Sequence, residues 1–121
     1  MLPRLQEMVL LKIYTLGPRC TIAQIQKSLS SEIGDEMAWN SVHTTVLRLI
    51  EQGNVDWEFD EQRPNRSRQT KLYSVTPRGG RELMNSVRTV RSLYGPLLTD
   101  PNGIDRLLQI PTRPARAEAH A

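Results

Sequence analysis

The chain has 121 residues, of which 38% are hydrophobic and 24% are charged, and its formal net charge is +3. This length predicts one domain with a modest core and is short for an enzyme with a deep pocket, and the small positive charge allows an anionic partner without requiring one. The single cysteine excludes an intramolecular disulfide. The longest apolar run, Met8 to Leu11, is too short to cross a bilayer, and the N-terminus lacks a signal-peptide layout. We therefore expect a cytoplasmic protein without membrane contact.

Two amphipathic helices are predicted first. In the first helix, which Gly17-Pro18 should end, apolar residues recur at helical spacing: Leu5, Met8, Val9, Ile13 and Leu16. Thr21 is suited to cap the second helix, because its hydroxyl can accept an orphan backbone N–H, and Gly34 is suited to end it. The apolar face of the second helix should consist of Ile22, Ile25, Leu29 and Ile33.

A third helix and a β-hairpin follow. The helix should end at Gly53 and bury a stripe made of Trp39, Val42, Val46, Leu49 and Ile50. Its opposite face should be largely polar, with Asn40, Ser41, Thr44, Thr45 and Arg48. Alternation then predicts a strand in which Val55, Trp57 and Phe59 point inward, away from Asp56, Glu58 and Asp60. A polar loop over 61–69 leads to a return strand with Leu72, Tyr73 and Val75.

A long helix should begin at Thr76-Pro77, although the Gly79-Gly80 pair weakens its first turn. Its heptad spacing predicts a seam that holds two copies of the chain together, with the alternative that these residues cover the protein's own core: Leu83, Val87, Val90, Tyr94 and Leu97. Gly95-Pro96 should break or kink this helix. Asp100-Pro101 could start a short helix with Ile104, Leu107 and Leu108, and the tail from Pro111 should be disordered.

The predicted fold is therefore mainly α with a small antiparallel β-hairpin (α+β). Residues 1–76 form a winged helix-turn-helix domain, residues 77–110 a C-terminal dimerisation helix with a short extra helix, and residues 111–121 a disordered tail. The third helix, about 39–53, would enter the major groove of DNA, where short polar side chains near its N-terminus reach base edges or phosphates.

The hairpin loop carries the charge that favours nucleic acid. No Asp or Glu occurs from Gln62 to Arg81. Positive charge on a reachable loop is enough to bind phosphate, and Arg also fits a narrow minor groove. We therefore predict that the basic wing, about 62–71, contacts the flanking backbone or minor groove through Arg63, Arg66, Arg68 and Lys71. The acids just upstream, Asp56, Glu58, Asp60 and Glu61, should face away from DNA.

The chain resembles the PadR-like winged-helix transcriptional regulators over roughly residues 5–98. The sharpest element is Val42-His43-Thr44-Thr45-Val46-Leu47-Arg48-Leu49 with Gly53 after it, which is similar to the family's recognition helix. A second is Tyr73-Ser74-Val75-Thr76-Pro77-Arg78-Gly79, similar to the strand that leads into the dimerisation helix. The resemblance implies a homodimeric regulator, most often a repressor, whose ligand, where one is known, binds near the dimer interface; nothing in this chain identifies an effector.

The chain departs from the family pattern at His43, where Tyr is usual, and at Leu47 and Ile50, where charged residues are usual. His43 is expected to pack or contact phosphate rather than bind a metal, since the chain has two His, one Cys and no metal-ligand spacing. Arg48 could contact a phosphate or pair with Glu51 or Glu36. Leu47 could touch a thymine methyl or pack beneath the wing, and packing is favoured here. Trp39 and Trp57 are expected in the core or an interface.

No catalytic residue, cofactor site or metal site is predicted, because there is no Gly-rich phosphate loop, no paired carboxylates in an apolar setting, and no nucleophile with a base. The predicted function is a homodimeric regulator that binds double-stranded DNA at a pseudo-palindromic operator. The alternative is a winged-helix module for protein–protein contact without sequence-specific DNA binding, which the apolar Leu47 would suit.

Overall fold

A computed structural model of the chain describes residues 2–62 and 70–111. Three helices, α1 (Arg4–Leu16), α2 (Ile22–Ile33) and α3 (Trp39–Glu51), precede strands β1 (Val55–Phe59) and β2 (Lys71–Val75). Helices α4 (Pro77–Thr99) and α5 (Gly103–Leu107) follow. The strands pair antiparallel, with Val55 opposite Val75 and Phe59 opposite Lys71. The predicted fold class, mainly helical with a two-stranded antiparallel hairpin, is confirmed.

The contacts divide the chain into two compact units, Met1–Val87 and Arg88–Ala121, with the boundary inside α4. The first unit contains the three-helix core and the hairpin. The second contains the end of α4 and all of α5. Within the described ranges, no helix combines the length and the apolar character that a membrane crossing needs.

Capping chemistry fixes the ends of α2 as predicted. The Thr21 hydroxyl accepts the backbone N–H of Gln24, and the Gln24 side chain accepts the N–H of Thr21, which forms a reciprocal capping box. At the other end, Gly34 adopts a left-handed conformation with φ 71°, which a residue without Cβ adopts at little cost. The turn between α1 and α2 contains Arg19, a non-glycine residue with φ 69°.

The core of the first unit lies where the middle turns of the three helices meet the base of the hairpin. Its fully buried side chains include Val9, Leu10, Ile13, Ile25, Val42, Val46, Leu49 and Val55. Leu5, Leu16 and Ile33, near the ends of α1 and α2, are exposed. Lys12 and Gln6 are buried in their place, and both are paired: Lys12 with Glu32 at 2.5 Å and Gln6 with Gln52 at 2.9 Å.

Three aromatic residues that the sequence pattern assigned to inward-facing positions are not in the core, which leaves the interface alternative for the two tryptophans. Trp39, Trp57 and Phe59 are 46%, 42% and 41% exposed. The helices cover the hairpin only at its base, around Val55 and Tyr73, so the strands extend beyond the core. The Trp57 and Phe59 rings instead pack edge to face, with centroids 5.0 Å apart.

The junction between the hairpin and α4 is tightly packed. The Thr76 hydroxyl donates to the Gly53 carbonyl at 2.6 Å and accepts the Gly79 N–H at 3.0 Å, so Thr76 caps α4 at the start predicted for this helix. A Cβ on Gly79 would lie 2.2 Å from the carbonyl oxygen of Asn54. Gly79 therefore permits α4 to approach the turn after α3, a role that the sequence pattern did not reveal.

The C-terminal elements differ from prediction in two ways. Leu83, assigned to the dimer seam, is 8% exposed and belongs to the hydrophobic core, which is the alternative that the sequence left open. The helix also does not break at Gly95-Pro96, since α4 continues through Pro96 to Thr99, and the kink expected as the alternative stays a prediction. Only the last turn of α4 follows Pro96, so the missing N–H of Pro96 affects few backbone hydrogen bonds of the helix. The predicted short helix is present as α5, and residues 112–121 lie outside the described ranges.

Candidate nucleic-acid interface

One long face of α3 is open to solvent. Val42, Val46 and Leu49 pack into the core, and a helical period of 3.6 residues turns the opposite side outward. That outward side, here called the α3 face, consists of Asn40, Ser41, Thr44, Leu47, Arg48 and Glu51, all of which are exposed. The face is polar near the N-terminus of the helix and has no acidic residue before Glu51.

Thr45 does not belong to this face, contrary to the sequence-based placement. It is 4% exposed, and its hydroxyl donates to the Ser41 carbonyl one turn earlier, at 2.7 Å. The helical wheel could have revealed this, since Thr45 falls three residues after Val42 and four before Leu49. The Thr45 hydroxyl is therefore satisfied within its own helix, and the side chain has little surface left for a partner.

Arg48 has the freedom that a phosphate contact requires. Within the described residues it forms no ion pair with Glu36 or Glu51, the two structural partners considered for it. It lines a shallow open cavity of about 330 Å³ together with Asn40, Ser41, Thr44, the small exposed part of Thr45, and the exposed Leu5 of α1. Leu5 was assigned to the core by the sequence and instead borders the candidate interface.

His43 and Trp39 form one edge of the α3 face. Their rings stack with centroids 4.7 Å apart and planes inclined by 17°. The stack leaves His43 half-buried, which agrees with the packing role expected for it. No group of three or more potential metal ligands exists among the described residues.

The described part of the hairpin supplies one of the predicted cations. The Lys71 ammonium lies 4.5 Å from the centroid of the Trp57 ring, in position for a cation–π interaction. Arg63, Arg66 and Arg68, the other predicted wing contacts, lie outside the described residues. Lys71 therefore lies at the foot of the predicted wing, and the contacts predicted for the three arginines stay predictions.

Two of the upstream acids already have partners. Glu58 forms an ion pair with Arg19 at 2.8 Å, and the Asp60 carboxylate accepts the Gln62 N–H at 3.1 Å. The strand register places Asp56 and Glu58 on the opposite side of the hairpin from Trp57. The sequence analysis did not identify Arg19 as a partner of Glu58. Arg19 lies in a turn with a left-handed backbone, directly before Cys20 and the Thr21 cap, and no sequence pattern predicts this conformation.

The single thiol is structural. Cys20 is buried, its Sγ donates to the Tyr73 carbonyl at 3.6 Å, and its backbone pairs with Tyr73 beside the hairpin. Burial raises the pKa of the Cys20 thiol to about 11, so the reactive thiolate is scarce at neutral pH. Burial also raises the pKa of Tyr73, with a further contribution from neighbouring Cys20.

Comparison with known proteins gives structural likeness only. No protein-family model matches the chain, and no curated protein matches its sequence. RosR of H. salinarum has 20% identity and a TM-score of 0.62, covering 90% of this chain and 89% of RosR. TA0346 of Thermoplasma acidophilum, described as a transcriptional regulator, has 22% identity and a TM-score of 0.58, covering 78% and 90%.

A third likeness is to BpsR of Bordetella bronchiseptica, whose DNA binding is regulated by 6-hydroxynicotinic acid. It has 17% identity and a TM-score of 0.59 and covers 99% of this chain and 76% of BpsR. At these identities the likenesses show that the chain has the winged-helix fold of such regulators.

Proposed function

We propose that the chain is a DNA-binding transcriptional regulator of the PadR-like kind, acting in the cytoplasm as a homodimeric repressor. The observation that carries this proposal is the α3 face: short polar side chains and an arginine with no ion pair among the described residues, exposed together on the third helix of a winged-helix fold. Side chains of this kind near the N-terminus of a helix can reach base edges and phosphates when the helix enters the major groove.

In this proposal α3 is the recognition helix. Asn40, Ser41 and Thr44 lie in its first two turns, where side chains of a docked helix reach base edges. Arg48 lies one turn later and binds a phosphate, which fixes the register of the helix without reading sequence. His43, stacked on Trp39, borders this surface. Lys71 and the wing arginines Arg63, Arg66 and Arg68 bind the flanking backbone or minor groove.

The dimer and the effector complete the proposal. Three residues of the predicted seam are too exposed to belong to the protein's own core, which supports the dimer: Val87, Val90 and Tyr94, at 44%, 40% and 53%. A two-fold dimer prefers a pseudo-palindromic operator with half-sites about one helical turn, ~34 Å, apart. By analogy with BpsR, we include a small-molecule effector that alters DNA affinity.

A protein–protein adaptor is the second candidate. The exposed Trp39 and Leu47 on α3, and the exposed pair Trp57 and Phe59 on the hairpin, favour it because aromatic and apolar side chains are enriched in protein interfaces. An adaptor of this kind would show no preference among duplex sequences.

The test is binding of the full chain to random-sequence duplexes, followed by measurement of affinity against salt concentration. We expect selection of a pseudo-palindrome. Arg48→Ala should weaken binding to all duplexes and reduce the salt slope by about 0.9, the value for one lost phosphate contact. Asn40→Ala should instead change the preferred sequence.

Arg106→Ala is the matched control, because it removes an equal charge from α5, where Arg106 pairs with Asp100 at 3.2 Å. It should leave the salt slope unchanged. If the wild-type chain bound no duplex above the non-specific level, the DNA proposal would be wrong and the adaptor would take its place.

A further inference from the structure

Leu47 is an apolar residue in the middle of a polar surface. It is 43% exposed and lies on the α3 face one turn after Thr44 and one turn before Glu51. The sequence favoured packing of Leu47 beneath the wing, whose residues 63–69 lie outside the described residues, and the Leu47 side chain is exposed. Its position coincides with the part of α3 that faces DNA in the proposed function.

The core does not account for Leu47. The buried stripe of α3 runs through Val42, Val46 and Leu49, and Ile50 is the partly buried residue that packs beside that stripe. Leu47 belongs neither to the core cluster nor to the residues packed against it. The exposed part of the Leu47 side chain gains further free energy only where a partner covers it.

The chemistry of the major groove limits what can cover it there. Base edges in this groove present nitrogen and oxygen donors and acceptors and a single apolar group, the C5-methyl of thymine. A leucine placed against the polar edges would displace water from groups that it cannot hydrogen-bond, which is unfavourable. A leucine placed against a thymine methyl buries two apolar groups together.

We propose that Leu47 is a specificity-determining residue that reads a thymine in each half-site by contact with its C5-methyl group. This inference rests on the proposed DNA-binding function. Asn40 and Thr44, which lie closer to the N-terminus of α3 than Leu47 does, then read the neighbouring base pairs. The exposed Glu51 can only accept hydrogen bonds, so on base edges it is limited to the amino groups of cytosine and adenine.

The experiment uses the tightest duplex recovered by selection with the full wild-type chain. Each thymine of a half-site is replaced in turn by deoxyuridine, which removes the methyl group and leaves the hydrogen-bonding pattern intact. We expect one position at which the replacement weakens wild-type binding about fourfold, the value for one buried methyl-sized group. Leu47→Ala should bind the thymine and uracil duplexes equally.

Two variants control the comparison. Leu47→Gln keeps the length of the side chain and removes its apolar end, so it should also lose the discrimination. Asn40→Ala should lower affinity and keep the fourfold difference. If the wild type binds its duplex but no uracil replacement matters, or if Leu47→Ala discriminates as the wild type does, this inference is overturned. If the wild type selects no duplex, the proposed function itself fails.

Discussion

Gly79 and Gly80 are adjacent in the sequence and have different surroundings. A Cβ on Gly79 would lie 2.2 Å from the Asn54 carbonyl oxygen and 2.9 Å from a methyl carbon of Val75. A Cβ on Gly80 would have no heavy atom within 4 Å. Substitutions at the two positions therefore separate two effects of glycine in a helix: it permits the close approach of another chain segment, and it lowers helix propensity.

We expect Gly79→Ala to lower the free energy of unfolding by about 1–3 kcal/mol, because the methyl group overpacks the junction between α4 and the turn after α3. Gly80→Ala should raise it by up to about 1 kcal/mol through helix propensity alone. Urea unfolding of both variants measures the difference. Equal effects of the two substitutions would contradict the close packing at Gly79.

Cys20 should make stability depend on pH in the alkaline range. Burial raises its pKa from the ordinary 9.0 to about 11, so the folded state holds this proton more tightly than the unfolded state does. The contribution is complete below pH 9 and is lost as pH rises from about 9 to 11, where the unfolded chain releases the proton first.

Cys20→Ala provides the control for this prediction. It should lower stability at neutral pH by loss of packing and show a flatter decline between pH 9 and 11 than the wild type. Tyr73, whose pKa is also raised, adds to the decline in both proteins. Chemical unfolding at a series of pH values checks the prediction, and parallel curves for the two proteins would refute it.

At the scale of elements, local chemistry made the helix ends predictable. The Thr21 cap, the left-handed Gly34 and the Thr76 cap depend on hydrogen bonds within a few residues, or on backbone conformations that only certain residues adopt. Apolar periodicity was also sufficient to locate α1, α2 and α3. The sequence therefore predicted where most elements begin and end.

Burial was less predictable, since it depends on which neighbouring element covers each turn. Alternation in β1 correctly placed Trp57 and Phe59 on one side of the hairpin, but no pattern in β1 shows that the helices cover only its base. Heptad spacing placed Leu83 in a dimer seam, whereas the three-helix core takes it up. The Asn54 carbonyl that excludes a side chain at Gly79 lies 25 residues earlier in the sequence.

The candidate site was predictable to a similar degree. Asn40, Ser41, Thr44 and Arg48 lie on one exposed face, because helical periodicity alone fixes which residues share a side. Thr45 could have been excluded on the same ground, because its spacing from Val42 and Leu49 places it on the buried side of the helix. The exposure of Leu47 was the least predictable feature of this face, since the sequence favoured packing of its side chain beneath the wing.

At the scale of the whole molecule, the proposed dimer predicts the effect of a charge in the seam. Val90 is 40% exposed, and Ser92, also exposed, lies two residues later and so on the other side of α4. Val90→Glu should bury a carboxylate in the dimer interface and produce a monomer, whereas Ser92→Glu should leave the dimer intact. Analytical ultracentrifugation distinguishes the two states.

The same pair of variants tests whether dimerisation determines operator geometry. A dimer binds two half-sites as one rigid unit, so wild type and Ser92→Glu should lose affinity when five base pairs are inserted between the half-sites, which turns one half-site to the opposite side of the duplex by about half a helical turn. A monomeric Val90→Glu binds each half-site separately and should be indifferent to the insertion. If Val90→Glu remained dimeric, or if the wild type tolerated the insertion, the α4 seam would not be what sets the spacing.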